Sequence, residues 1–124
     1  MSGQEGIMSE QRASERITEE VTSWPGVVAG PGRRGEFSFK VGFREIGHLH
    51  GDHAAHFTLP KAVWSKLFEE GRVDYHPVFP GRPGMGARTI ETDDDVEDVI
   101  ALMRLNYKRV VERHGLPAVG SRGR

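Results

Sequence analysis

Apolar residues recur at Ala13, Ile17, Val21 and Trp24, at spacings of four, four and three. That is one stripe of an amphipathic helix, expected from Ser9 to about Ser23 with Ser9 as its N-cap and Pro25-Gly26 as its stop. Val27 to Ala29 form a short strand candidate, and "GPGRRG" (Gly30 to Gly35) reads as a turn. The period then changes to two. Phe37, Phe39 and Val41 alternate with Ser38 and Lys40, as on a half-buried strand. Gly42 to Arg44 suit a tight turn, and Glu45 to His50 make a second, antiparallel strand. Strict alternation puts Ile46, His48 and His50 on one face and Glu45, Gly47 and Leu49 on the other. Gly51-Asp52 signals another turn, and Ala55 to Leu59 give a third strand that runs into Pro60.

Pro60 sits well in the first turn of a helix, where its missing N–H costs nothing. "PKAVWSKLFEEG" carries Val63, Trp64, Leu67 and Phe68 on one side, with Gly71 as the residue after the C-cap. "RVDYHPVF" is a strand whose Pro77 favours an edge or a terminus. "PGRPGMG" is a long turn, and Ala87 to Glu91 a last strand. The clearest helix is "TDDDVEDVIALMRLNYKRVVERHG". Thr92 or Asp93 caps it, and acidic residues crowd the first turn where the dipole favours them. Val96, Val99, Ile100, Met103, Tyr107, Val110 and Val111 form its apolar stripe. Arg113 and His114 sit near its end, and Gly115 stops it. The pattern predicts an α+β domain over residues 9–114: a mostly antiparallel sheet of five to six strands with three helices, in the order α-β-β-β-β-α-β-β-α. Residues 1–8 and 115–124 read as tails.

Composition narrows the function classes. With 36% hydrophobic and 28% charged residues, the chain suits a soluble globular domain. No apolar run approaches the ~20 residues of a membrane span, and the N-terminus lacks the apolar core of a secretory signal, so a cytosolic location is expected. Seventeen basic and eighteen acidic residues leave a net charge of −1, which argues against nucleic acid as a partner. There is no cysteine. Any metal ion must therefore be held by His, Asp or Glu.

The candidate chemistry lies in "HLHGDHAAH", which holds four of the six histidines. His48 to His53 fit H-x-H-x-D-H, the pattern that opens the metal site of metallo-β-lactamase-type hydrolases. That family needs a larger fold and further ligands downstream, and here the later candidates are only His76, His114 and Asp93 to Asp95. The aspartates are better explained as helix-start residues. The bland reading, sheet histidines solvated or bonded to backbone, holds for His53 in a turn and for His114 at a helix end. It weakens for His48, His50, His56 and His76 as a group, because convergent imidazoles each need a partner and perturb one another.

"EIGHLHGDHAAHFTLPKAV", "EEGRVDYHPV" and "LNYKRV" together resemble the luciferase-domain family of small bacterial and fungal proteins. The matching positions are Glu45, Gly47, His48, Leu49, His50, Ala55, His56, Leu59, Pro60, Gly71, His76, Pro77 and Tyr107. Gly51-Asp52-His53 departs from the family's usual turn, and Asn106 stands where a small hydroxyl residue is common. The departure makes the H-x-H-x-D-H match accidental, since its second half falls in a variable turn. A weaker resemblance, in element order and in "NYKRVV", is to MmcQ/YjbR-type domains; it would imply DNA binding, which the neutral charge opposes.

Three readings follow. The first is a histidine-lined pocket that binds or transforms a small molecule, with His48, His50, His56 and His76 as catalytic candidates, no metal ligand assigned, and one imidazole as general base. Arg44, Lys61 and Arg88 would steer an anionic ligand and Tyr107 would complete the wall, while Trp64 and Phe68 are expected in the core. The second is a zinc-binding protein or hydrolase using the same cluster. The third is a non-enzymatic interaction module. No cofactor follows from the sequence: "GPGRRG" is not a phosphate-binding loop, because no helix after it offers its N-terminal amides.

Overall fold

The computed structural model describes residues 11–78 and 80–117. Among the described residues three helices, α1 (Ala13–Val21), α2 (Lys61–Glu69) and α3 (Asp93–His114), accompany six strands. The strands are β1 (Val27–Pro31), β2 (Phe37–Val41), β3 (Arg44–His50), β4 (Ala54–Thr58), β5 (Asp74–Tyr75) and β6 (Met85–Thr89). They form one sheet in the order β1-β2-β3-β4-β6-β5, with every pair antiparallel. Fold class and element order match the expectation.

Several boundaries differ. Helix α1 starts at Ala13 rather than Ser9, and the expected cap Ser9 lies outside the described residues. The first turn is held instead by Glu15, whose carboxylate accepts the Arg12 N–H at 3.1 Å. Strand β5 shrinks to two residues at the sheet edge, because Pro77 has no N–H to donate to a ladder. Strand β6 begins at Met85, two residues before the expected start. The expected tails over 1–8 and 118–124 lie outside the described residues; Leu116 and Pro117 pack beside Gly26.

All three helices lie on one face of the sheet. Phe39 pairs with Gly47, and Phe57 with Gly86. A Cβ on Gly47 would stand 2.7 Å from Met103 Sδ of α3, and one on Gly86 would stand 3.2 Å from Trp64 of α2. The two glycines thus let the helices approach the sheet backbone closely. Ile17 and Val21 of α1, Trp64 and Leu67 of α2, and Val96, Val99, Leu102, Met103 and Val110 of α3 join one core with Phe39, Leu49, Ala55 and Phe57. The buried stripe of α3 is wider than expected, since it adds Leu102 and Asn106. The reason is that α3 packs on both the sheet and α1, and Trp24, just past the end of α1, meets Tyr107 at 5.3 Å. Its start is fixed by reciprocal capping: Thr92 Oγ1 accepts the Asp95 N–H and Asp95 accepts the Thr92 N–H. On the opposite face of the sheet no helix packs among the described residues.

Candidate functional site

The open face carries the histidines. Ser38 pairs with His48 and His48 with His56, so the three side chains stand side by side across β2, β3 and β4. His50 is two residues along β3 from His48, and His76 follows β5, held by its N–H to Met85 O. The rings of His48 and His50 lie 5.1 Å apart, His48 and His56 5.3 Å, His50 and His56 4.4 Å, and His56 and His76 4.2 Å. The four imidazoles expected to converge do so.

One neighbour was placed wrongly by simple alternation. Phe39 faces Gly47, yet the next residue Lys40 faces Glu45, so β3 carries an extra residue at Ile46. This β-bulge turns Ile46 into the core, where it is fully buried, and rolls Glu45 onto the face of His48. Ile46 therefore does not share a face with His48 and His50, and Glu45 does. Glu45 Oε2 lies 2.7 Å from His48 Nδ1, and its other oxygen 3.4 Å from Ser38 Oγ. A carboxylate only accepts, so His48 carries a proton on Nδ1, and in the neutral ring the lone pair is on Nε2. The bulge is pinned from the other side: buried Asn106 of α3 donates to Ile46 O at 3.1 Å and to Thr58 O at 3.3 Å. Neither Glu45 as a partner of His48 nor Asn106 as a support was expected, although Gly47 inside a strand is a recognised sign of a bulge or close approach.

His56 is the deepest ring, 7% exposed, and its Nδ1 has no hydrogen-bond partner. Burial, then the neighbouring His76, His50 and His48, push its pKa down to about 4, so it is neutral at pH 7. His76 is lowered in the same direction, first by burial, then by His48, His50 and Arg34. Its Nδ1 accepts the Val78 N–H at 3.1 Å, so a neutral His76 carries its proton on Nε2, the opposite tautomer to His48. One ring nitrogen from each of His48, His50 and His56 can be chosen so that all three lie within 4.8 Å of one another.

The other expected ligand-binding residues are placed elsewhere. Arg88 points to the helix side, paired with Asp95 at 2.9 Å and Asp98 at 3.1 Å. Tyr107 is on α3, donating to Pro25 O at 2.7 Å, and does not complete the histidine wall. Arg44 lies over the Phe43 ring, and its charge reaches His114 at the end of α3. Lys61 is exposed at the start of α2. The H-x-H-x-D-H pattern also divides. Asp52 accepts the Ser14 N–H at 2.8 Å and so serves α1, and His53 makes turn and strand-end backbone bonds. Two hollows lie away from the cluster. A hollow of about 840 Å³ lies among Arg12, Arg16, Ile90 and Glu97, and one of about 530 Å³ among Val63, Leu67, Leu105 and Arg109. No histidine lines either.

The profile of the luciferase domain matches residues 43–106, just over half of the chain. The chain belongs to the luciferase-domain family. Curated proteins and solved structures give no match. The matched stretch of this luciferase-domain protein holds all four clustered histidines, Glu45 and Asn106, from the bulge to the residue that pins it.

Proposed function

We propose that this luciferase-domain protein binds or transforms a small molecule on the open face of its sheet, with the ring nitrogens of His48, His50 and His56 as the contacting groups. The observation that carries the reading is the convergence of imidazoles from separate strands, down to 4.4 Å between the ring centres of His50 and His56. Such crowding is costly unless used, since each ring loses water and perturbs its neighbours. Glu45 adds a second sign of use. By holding the proton on His48 Nδ1 it leaves Nε2 as a lone pair toward a ligand or a proton. The cluster is bordered by the turn that bears Arg34 and Glu36, whose charges act on the histidines.

The test is a fragment screen read on the histidine ring resonances, using small carboxylates, phenols and amines. The expected result is that binders shift His48, His50 and His56 together. Binders that gather only in the hollow by Arg16 and Glu97 or the groove by Leu67 and Leu105 would overturn the proposal.

A further inference from the structure

We infer that His48, His50 and His56 form the protein ligands of a zinc-type divalent metal centre, with Glu45 as the positioning residue for His48. The inference rests on the small-molecule reading above and names the ion that would sit beneath that ligand. Three observations carry it. The first is distance: ring nitrogens within 4.8 Å of one another can close on one ion. At metal–nitrogen lengths of about 2.0–2.1 Å, tetrahedral ligands stand about 3.3 Å apart. Closure needs only small ring rotations, which His50, exposed at the end of β3, can supply.

The second observation is the carboxylate behind the ligand. Ligating histidines commonly donate their second N–H to a carboxylate, which fixes the tautomer and raises the basicity of the coordinating nitrogen. Glu45 does this for His48 at 2.7 Å. The contact exists only because the bulge at Ile46 brings residues three apart onto one face. The third is His56, more than nine-tenths buried with an unsatisfied Nδ1. A buried ring lacking partners is costly in a merely structural role and is suited to a coordinating one.

The donor set defines the ion. Three neutral imidazoles with no protein thiolate suit zinc and its first-row neighbours rather than calcium or magnesium. Three protein ligands leave a coordination position for water or substrate, the pattern of a catalytic rather than a structural site. His76 flanks this centre without joining the ligand set, since its Nδ1 is engaged by Val78 N–H and its other nitrogen bears the proton. Asp52 and His53, which complete the H-x-H-x-D-H pattern in sequence, play no part.

The experiment is a Co²⁺ titration, followed by visible absorption and by Zn²⁺ displacement, of the full chain purified without a polyhistidine tag. One equivalent should bind with Kd below about 1 µM. His50→Ala, at an exposed position with little bearing on folding, should weaken binding at least about ten-fold, and Glu45→Gln about 10–100-fold. His76→Gln and His53→Asn should leave it unchanged. No Co²⁺ binding by the wild-type chain would overturn the inference, as would unchanged affinity in His50→Ala or equal weakening in His53→Asn. Loss of binding in His76→Gln would overturn the ligand assignment. If Co²⁺ fails to bind while fragments still shift the cluster, the metal alone is refuted. If fragments avoid the cluster, the small-molecule reading fails with it.

Discussion

On β4, Ala55 and Phe57 turn toward the helices and join the apolar core, while His56 between them turns to the other face. His56 and Phe57 are almost equally buried, at 7% and 2% exposure. Phe57 packs among apolar neighbours, with its ring edge at Gly47 and thus close to Met103. His56 is buried among other imidazoles, and its Nδ1 bonds to nothing. Adjacent residues of one strand thus serve opposite ends. The helix side stabilises the domain, and the open side keeps a costly arrangement that stability alone does not explain.

Cutting into the helix side should give the largest effect. Phe57→Ala removes a fully packed ring and should cost about 3–5 kcal/mol in denaturant unfolding. A loss under about 1 kcal/mol would mean that the core lies elsewhere. Next is Asn106→Ala, which leaves the carbonyls of Ile46 and Thr58 without their side-chain donor. It should cost about 2–3 kcal/mol and, by loosening the bulge, weaken Co²⁺ binding although Asn106 lies on the far side of the sheet. An Asn106→Ala chain with unaltered Co²⁺ affinity would uncouple the two faces.

Acid should act on the open face. Above pH 6.5 His56 is neutral whether the chain is folded or not, and stability is complete. Between 6.5 and about 4 the unfolded chain binds a proton that the folded one resists. Stability therefore falls through that window, by on the order of 3 kcal/mol, and the loss levels off below it. His76, lowered in the same direction, adds to it. Stability that rises on acidification across that window would contradict the burial of His56. The smallest effect belongs to His56→Phe. Replacing the unsatisfied ring with an apolar one should leave stability within about 1 kcal/mol of wild type or raise it, flatten the acid response, and abolish Co²⁺ binding. A loss as large as that of Phe57→Ala would make His56 an ordinary core residue.

Much of this contrast was legible in the sequence. The 3.6-residue and two-residue periods give the element order, and "HLH" followed by "AAH" puts imidazoles on one side of paired strands. The bulge was not, because alternation counts residues along a single strand. What decides the register at Ile46 is a long-range contact: Asn106, sixty positions away, bonds its carbonyl. Once Ile46 turns inward, Glu45 changes sides and His48 acquires its carboxylate. The readable hint was Gly47 beside Ile46, a break in strand chemistry at the point where the backbone meets Met103. The motif H-x-H-x-D-H divides as expected of an accidental match whose second half falls in a variable turn. Residues adjacent in sequence were divided between a metal-type cluster and the N-terminus of α1.

The most direct measurement is a long-range proton–nitrogen correlation spectrum of the histidine rings, before and after one equivalent of Zn²⁺. Before addition, His48 should show its proton on Nδ1 and His76 its proton on Nε2. After addition, one nitrogen each of His48, His50 and His56 should shift together, while His53 and His114 stay in place. Independent shifts of the three rings, or equal shifts at His53 and His114, would contradict a shared centre on the open face.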